Sequence, residues 1–422
     1  MVGGLVVADD LTGANDTGHA FAKRGYTTTV LLEPGTTVSP ETEVLVVNTD
    51  SRYAPETVAS RTVSEVVTNH PADVVYKKID STLRGNVVSE VMAAQRALGN
   101  GTVPVVSPAA PSVGRCTACG YHLVDGQLVT DSPQGADVEK APQSAHLPTI
   151  FAETGRDVTH ISIDRVAAGR NAIMADLPDT GRRSVVVTAD AIHSTHLQAI
   201  AMATDIELDS PLYVGSSGLA NHVKLPDPPQ ERSFTRDGSS STATGLGVVG
   251  SVAPTTLAGL ANVPEDELVV IEPEAILFER DQAIEEAVNA LILAIDSNQR
   301  AVLTAATTTA AVDRTLEAAR AVDIDTSDLR HRVAQSLAIT AARVISRRPI
   351  GGLFLTGGDT AMTVLTAMDT RSVRLTGKAV ESGIPYSRIL DGAAAGTRLI
   401  TKAGGFGDEK TVLRCLTSVS EP

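Results

Sequence analysis

The stretch ADVVYKKIDSTLRGNVVSEVMAAQRAL, residues 72–98, decides the fold. Ala72 to Tyr76 is a short apolar run that reads as a buried strand, and Gly85 to Leu98 carries apolar residues at Val87, Val91, Ala94 and Leu98, the spacing of a helix. Between them KKIDSTLRGN, Lys77 to Asn86, packs three cations, one carboxylate and two hydroxyls into ten residues. A solvated charged loop is the bland alternative. A polar cluster at the carboxyl end of a strand, just before a helix, is where open α/β sheets bind ligands, and groups of this kind grip a small, oxygen-rich anion.

The chain opens in the same way. Gly3 to Ala8 is an apolar strand, followed at once by ADDLTGANDTG, Ala8 to Gly18, and a helical run to about Lys23. Asp9, Asp10, Asn15 and Asp16 therefore project from a second strand-to-helix junction, near the first if both strands share a sheet. Paired carboxylates hold a sugar hydroxyl, accept its proton or bind a divalent cation through oxygen. An Asp N-cap before a Gly turn accounts for one of these carboxylates and leaves the rest unexplained.

Further apolar runs alternate with helical stretches: Thr27 to Leu32, Val44 to Val47, Val103 to Val106, Val185 to Val187 and Leu212 to Val214, then Leu246 to Val249, Leu268 to Ile271, Ala301 to Thr304 and Gly352 to Leu355. Such alternation predicts α/β architecture. LPDPPQERSFTRDGSSSTATG, Leu225 to Gly245, has too little apolar surface to order as an element and reads as a linker. We expect two α/β domains, each with a largely parallel sheet flanked by helices, at 1–225 and 246–422, joined by 226–245. A chain of 422 residues exceeds the length at which one core keeps growing.

Composition narrows the function. A net charge of −15 disfavours nucleic acid, and an anionic substrate must be drawn in by a local cationic site. No run approaches the ~20 apolar residues of a membrane span and residues 1–8 lack a signal-peptide pattern, so we expect a cytoplasmic protein without membrane partners; a homo-oligomer is compatible with this surface. Trp is absent and aromatics are 3 %, so the cores must be Val, Ala, Leu and Ile packing. Cys116 and Cys119 form a CxxC with His122 three residues on, but a structural zinc site needs four ligands and Cys415 is distant in sequence. No protein-built metal site is expected. Arg115 and His122 are better read as shaping the pocket.

Gly245, Gly247 and Gly250 in GLGVVG match the dinucleotide fingerprint, yet they lie within the strand and do not follow one, which argues against a nicotinamide fold. No GxxxxGK[ST] occurs, so the phosphate cradle of any nucleotide site must come from other turns. Ser251 stands at the end of that strand, before Pro254 and Thr255 begin a helix. Gly357 and Gly358 follow the strand GLFL and precede the helix Asp359 to Met368, flanked by Thr356 and Thr360; Asp359 is placed to accept from a ribose or to hold Mg²⁺ through water. Ala403 to Gly407 repeats the pattern after the strand Arg398 to Thr401.

With VVSPAAPSVGRCTACGYHLVDG (Val105 to Gly126), VGSSGLA (Val214 to Ala220), VVGSVAPTT (Val248 to Thr256), LTGGDTA (Leu355 to Ala361) and ITKAGGFGDEKTV (Ile400 to Val412) in this order, the chain resembles the four-carbon acid sugar kinase family from about residue 3 to 415. That family contains the D-threonate, D-erythronate and 3-oxo-tetronate kinases. The resemblance implies an ATP- and Mg²⁺-dependent kinase whose first domain binds the acid sugar and whose second binds ATP. It assigns nucleotide contacts to Ser251, Gly357, Gly358, Asp359, Thr360, Gly404 and Gly405, and sugar contacts to Asp9, Asp10, Arg52, Lys77, Asp80 and Arg84. Relatives often carry a second Ser two positions after the first, where this chain has Ala253.

Phosphoryl transfer needs mainly positioning and electrostatics. Arg84 and Arg52 suit bidentate capture of the substrate carboxylate, Lys77 or Lys78 neutralises the transferring group, and Asp10 ranks ahead of Asp9, Asp80 and Asp16 as base. Two other readings use the same residues. A phosphatase of the haloacid dehalogenase type needs DxD, which Asp9-Asp10-Leu11 does not supply; a non-catalytic sugar-acid sensor would not need the glycine turns, and both are present.

Overall fold

The computed structural model describes residues 1–99, 101–137, 139–179, 185–230, 243–381 and 383–420. The chain divides into two compact units, 1–230 and 231–422. The expected linker, 226–245, falls mostly on 231–242, outside the described residues. Its first residues are part of the first unit: Tyr26 donates to the Asp227 carbonyl, Gln230 N–H to Glu43, and Leu225 packs on Gly3 and Gly4.

The first unit carries β1 (Val2–Ala8), β2 (Thr28–Leu31), β3 (Val44–Asn48), β4 (Ala72–Lys78), β5 (Val103–Ser107), β6 (Arg115–Ala118), β7 (Tyr121–Val124), β8 (Gln127–Leu128), β9 (Asp157–Ile161), β10 (Val185–Ala189) and β11 (Pro211–Gly215). Eight form one parallel sheet in the order β2-β3-β1-β4-β11-β5-β10-β9, and β6, β7 and β8 make a small antiparallel sheet. Parallel strands covered on both faces read as unbroken apolar runs, and every residue of β2, β3, β5 and β10 is buried. Each such Val or Leu contributes about 1.5–3 kcal/mol of burial.

Helices α1 (Leu11–Ala22), α2 (Glu56–Asn69) and α3 (Val87–Leu98) follow β1, β3 and β4. α1 lies against β1, β2 and β3, whereas α2 and α3 pack on each other. The order fixes where a ligand can enter. The chain leaves β1 toward β2 and leaves β4 toward β5, in opposite directions across the sheet, so a crevice opens between the carboxyl ends of β1 and β4.

The second unit carries β12 (Gly245–Val249), β13 (Leu268–Val270), β14 (Arg300–Thr304), β15 (Gly352–Thr356), β16 (Ser372–Glu381), β17 (Ile384–Ile389) and β18 (Arg398–Lys402) in the order β13-β14-β12-β15-β18-β17-β16. Its first four strands wind as the first unit's do, with the switch between β12 and β15. β17 runs antiparallel to both β16 and β18, so this sheet is parallel only through β18. The fingerprint glycines sit in or just after β12 to admit neighbours. A Cβ on Gly247 would stand 2.7 Å from Leu416, and one on Gly250 would collide with Thr360. No helix among the described residues is long and apolar enough to cross a membrane.

Candidate functional site

In the first unit, Ala8 pairs with Asn48 on one side and Lys78 on the other, so the loops after β1, β3 and β4 begin level with one another. Ser51 and Arg52 N–H both donate to the Asp9 carbonyl, at 3.0 and 3.2 Å, clamping the Arg52 loop over the end of β1. Asn86 ties that loop to the start of α3 through the carbonyls of Ser51 (2.8 Å) and Ala54 (2.9 Å).

Arg52 is turned inward. Its Nε and Nη2 donate to Asp9 at 2.7 and 3.1 Å, its Nη1 to Asp10 at 2.9 Å, and Asp80 stands 3.8 Å from Nη2. All three nitrogens are engaged, so Arg52 is a clamp on the carboxylates and has no edge left for a substrate carboxylate. Burial raises the Asp9 pKa, but Arg52, Lys78 and Lys77 together outweigh it and hold the group below the usual carboxylate range. Asp80 behaves likewise: desolvation is outweighed by Arg52 and Arg84, and its pKa falls far below normal. Asp10 also accepts from Gly13 N–H at 2.9 Å as the N-cap of α1, and at 24 % side-chain exposure it is the most open of the three carboxylates.

The two adjacent lysines part company because successive strand residues face opposite sides of a sheet. Lys77 is 0 % exposed; its Nζ pairs with Glu90 of α3 at 2.9 Å and donates to the carbonyls of Lys78 (2.6 Å) and Val7 (3.3 Å). Ser51 completes Glu90 at 2.5 Å. All three ammonium protons are used, which leaves Lys77 none for a ligand. Lys78 is 4 % exposed, beside the first turn of α1: a Cβ on Gly13 would stand 2.7 Å from its Nζ, and among the described residues the ammonium donates only to the Ile79 carbonyl, at 2.9 Å. A nearly buried cation with spare donors, at the positive end of a helix and among three carboxylates, suits an anion that arrives from outside.

Arg84 gives its Nε to Asp80 (2.7 Å) and Thr82 (3.1 Å), and its Nη1 lies 3.7 Å from Asp137. The pairing with Asp80 braces the loop, leaving the outer guanidinium edge for a ligand. Sequence reasoning missed Glu90, Asn86, Lys140, Tyr53 and Asp137. Lys140 donates to Asn86 Oδ1 at 2.8 Å and Tyr53 to Asp137 at 3.0 Å. His122 is fully buried beneath the loop: its Nε2 faces the Ser81 carbonyl at 2.8 Å and so donates, leaving Nδ1 to accept from Thr117 at 2.9 Å. Burial pushes its pKa down to about 4. Asp16, half-buried on α1, shares none of the contacts that join Asp9, Asp10 and Asp80.

In the second unit the neighbouring strands β12, β15 and β18 bring three turns together. Gly357, at φ +95°, caps the helix Gly358–Ala367, and a Cβ there would stand 3.2 Å from Ser251 N; Gly404 lies against Ser251 and Ala253. Gly358 and Gly405 have open space around them, Asp359 is exposed and Thr360 is buried. Free amides, a helix N-terminus and glycine clearance form a cradle that fits phosphates. Ala253 donates its N–H to Ser251 Oγ at 3.3 Å. Among the described residues no group of three His, Cys, Asp or Glu is arranged to hold a metal ion. Lys402, which sequence reasoning also missed although it stands directly before the glycine turn, is 3 % exposed and donates to Thr256 (3.0 Å) and to the carbonyls of Ala403 (3.1 Å) and Gly404 (3.0 Å).

Two compact α/β units, one with a crevice lined by lysine, arginine and carboxylates and the other with three glycine-bearing turns beside a helix N-terminus, define a class. Residues 4–223 match the sugar-binding N-terminal domain family and residues 246–412 the nucleotide-binding C-terminal domain family. The chain is 32 % identical to the D-threonate kinase of Salmonella typhimurium LT2, covering 99 % of this chain and 98 % of the relative. It is 30 % identical to the D-erythronate kinase of Heliobacterium modesticaldum, over 98 % and 96 %. The crystal structure of a Salmonella typhimurium LT2 protein shares the fold at TM-score 0.78 and 22 % identity, over 97 % of this chain and 98 % of that one. The chain belongs to the four-carbon acid sugar kinase family.

Proposed function

We propose that this chain is a cytoplasmic ATP-dependent kinase that phosphorylates a hydroxyl of a four-carbon sugar acid of the threonate, erythronate or 3-oxo-tetronate class, binding the acid in the first unit and the nucleotide in the second. The observation that carries it is Lys78, a nearly buried ammonium with a single acceptor among the described residues, beside Asp10 and the start of α1. The named activities of relatives matched over nearly the full length supply the substrate class.

In this reading Asp10 receives the proton of the attacking hydroxyl, because it is the most open carboxylate of the cluster, and Arg52 orients it. Lys78 faces the charge that develops on the phosphoryl oxygens. The outer edge of Arg84 and Lys140 attract the substrate carboxylate, while Lys77, Glu90 and His122 hold the loop that carries them. Ser251, Gly357, Gly358, Asp359, Thr360, Gly404 and Gly405 hold the nucleotide. Asp359, exposed at the start of the helix after the cradle, would be the carboxylate that holds a phosphate-bound Mg²⁺, which needs one or two such ligands at most. ATP supplies the phosphoryl group and Mg²⁺ neutralises its charge. Coupled detection of ADP with a panel of four-carbon acids tests the reading: turnover of at least one acid is expected, and none with any acid overturns the substrate class.

A further inference from the structure

The last glycine turn of the second unit has its carbonyls held from beneath. Lys402 Nζ takes those of Ala403 and Gly404, and the Gly404 carbonyl also accepts from Thr255 (3.3 Å) and Thr256 (3.0 Å). In a trans peptide the carbonyl and the following N–H point in opposite directions. Fixing the carbonyls of residues 403 and 404 on the Lys402 side therefore turns the amides of Gly404 and Gly405 to the other side. Neither amide donates a hydrogen bond to any described residue, and the space beside Gly405 is open.

The lysine is also unusual in its charge. It is almost wholly buried, its three acceptors are uncharged oxygens, and it forms no ion pair with any described residue. Burial alone is unfavourable to such a cation and lowers its pKa to about 8. Structural bracing of a turn needs only a neutral donor. A charge with no direct ion pair among the described residues, attracted only at longer range by Glu381 and standing directly behind two outward amides, complements an anion on their far side.

We infer that Lys402 is the positioning residue of the phosphate cradle, holding the turn so that the Gly404 and Gly405 amides face the nucleotide's phosphates and adding its charge to their field. The inference rests on the reading of the second unit as the nucleotide site. It assigns Lys402 to the phosphates and not to the base or ribose, so its effect must depend on the phosphate chain.

Calorimetry on the full-length protein, with ADP titrated directly and adenosine in competition, tests this. Lys402→Met is expected to weaken ADP by about tenfold or more, the scale of a lost charged hydrogen bond, while adenosine binds as in the wild type. Should Lys402→Met fail to fold, Thr256→Val, which removes one hydroxyl from Lys402 and from the Gly404 carbonyl, is expected to weaken ADP about threefold with adenosine again unchanged. Wild-type ADP affinity in the folded Met variant, or equal losses for ADP and adenosine, overturns the inference alone. A wild-type protein that binds neither ligand overturns the nucleotide reading together with it.

Discussion

The two units wind their first four strands in the same order, and each opens a crevice between its first and fourth strand, yet the crevices are lined with opposite materials. The first is built from side chains: Asp9, Asp10, Arg52, Lys78, Asp80 and Arg84 interlock in one network. The second is built from backbone, with glycines at three turns and Thr side chains and Lys402 bracing the last of them. A phosphate chain offers many equivalent oxygens, which repeated amides satisfy. A small acid differs from its isomers at single carbons, and only placed side chains can tell such differences apart. In the proposed reading, one winding therefore serves two recognition problems.

The contrast breaks most visibly at the adjacent lysines. Lys78→Met is expected to lower kcat/KM by about 10³-fold with little loss of stability, the scale of removing a preorganised charge donor. Lys77→Met strips the partner from buried Glu90 and is expected to cost about 3–5 kcal/mol of stability. Thermal unfolding and steady-state kinetics on both variants check this, and reversed phenotypes would reassign the two lysines.

Next comes His122, which props the side-chain site. Above pH 6.5 it is neutral in both the folded and unfolded chain; as pH falls toward about 4, only the unfolded chain takes up the proton, so stability is lost across that window. The expected loss from this group is about 3 kcal/mol. His122→Gln should flatten the stability profile between pH 6.5 and 4 in chemical denaturation, while the further loss below pH 4, from Asp9 and Asp80, should remain. An unchanged slope would remove His122 from the account.

The backbone site is sharpened by Gly357→Ala. The added Cβ meets Ser251 at 3.2 Å at a positive φ, and the Michaelis constant for ATP is expected to rise about tenfold with that for the sugar acid unchanged. The smallest effect belongs to Arg84→Lys. Because Nε already serves Asp80, only the outer edge is lost to a ligand, and the Michaelis constant for the acid is expected to rise about fivefold. A lowered Tm with unchanged kinetics would make Arg84 a brace only.

Much of this was legible in the sequence. The parallel strands announced themselves as apolar runs because both of their faces are covered. β9 did not, since DVTHI is short and half polar, and the β16–β17 hairpin alternates polar and apolar residues where a continuous run was sought. The residue types of the first site were visible in KKIDSTLRGN and ADDLTGAND, but their partners were not. Arg52 meets Asp9 and Asp10 across more than forty residues, and its inward turn depends on backbone bonds from its own loop to Asp9. The division of labour between Lys77 and Lys78 follows from strand alternation, yet which face carries Glu90 depends on the side of the sheet where α3 packs.

The most direct measurement is ADP release from purified full-length protein with ATP and Mg²⁺ against threonate, erythronate and 3-oxo-tetronate stereoisomers, run beside Lys78→Met. The account predicts acid-dependent ADP release with at least one member and its collapse in the variant. ADP release that no four-carbon acid stimulates, or that survives intact in Lys78→Met, would contradict it.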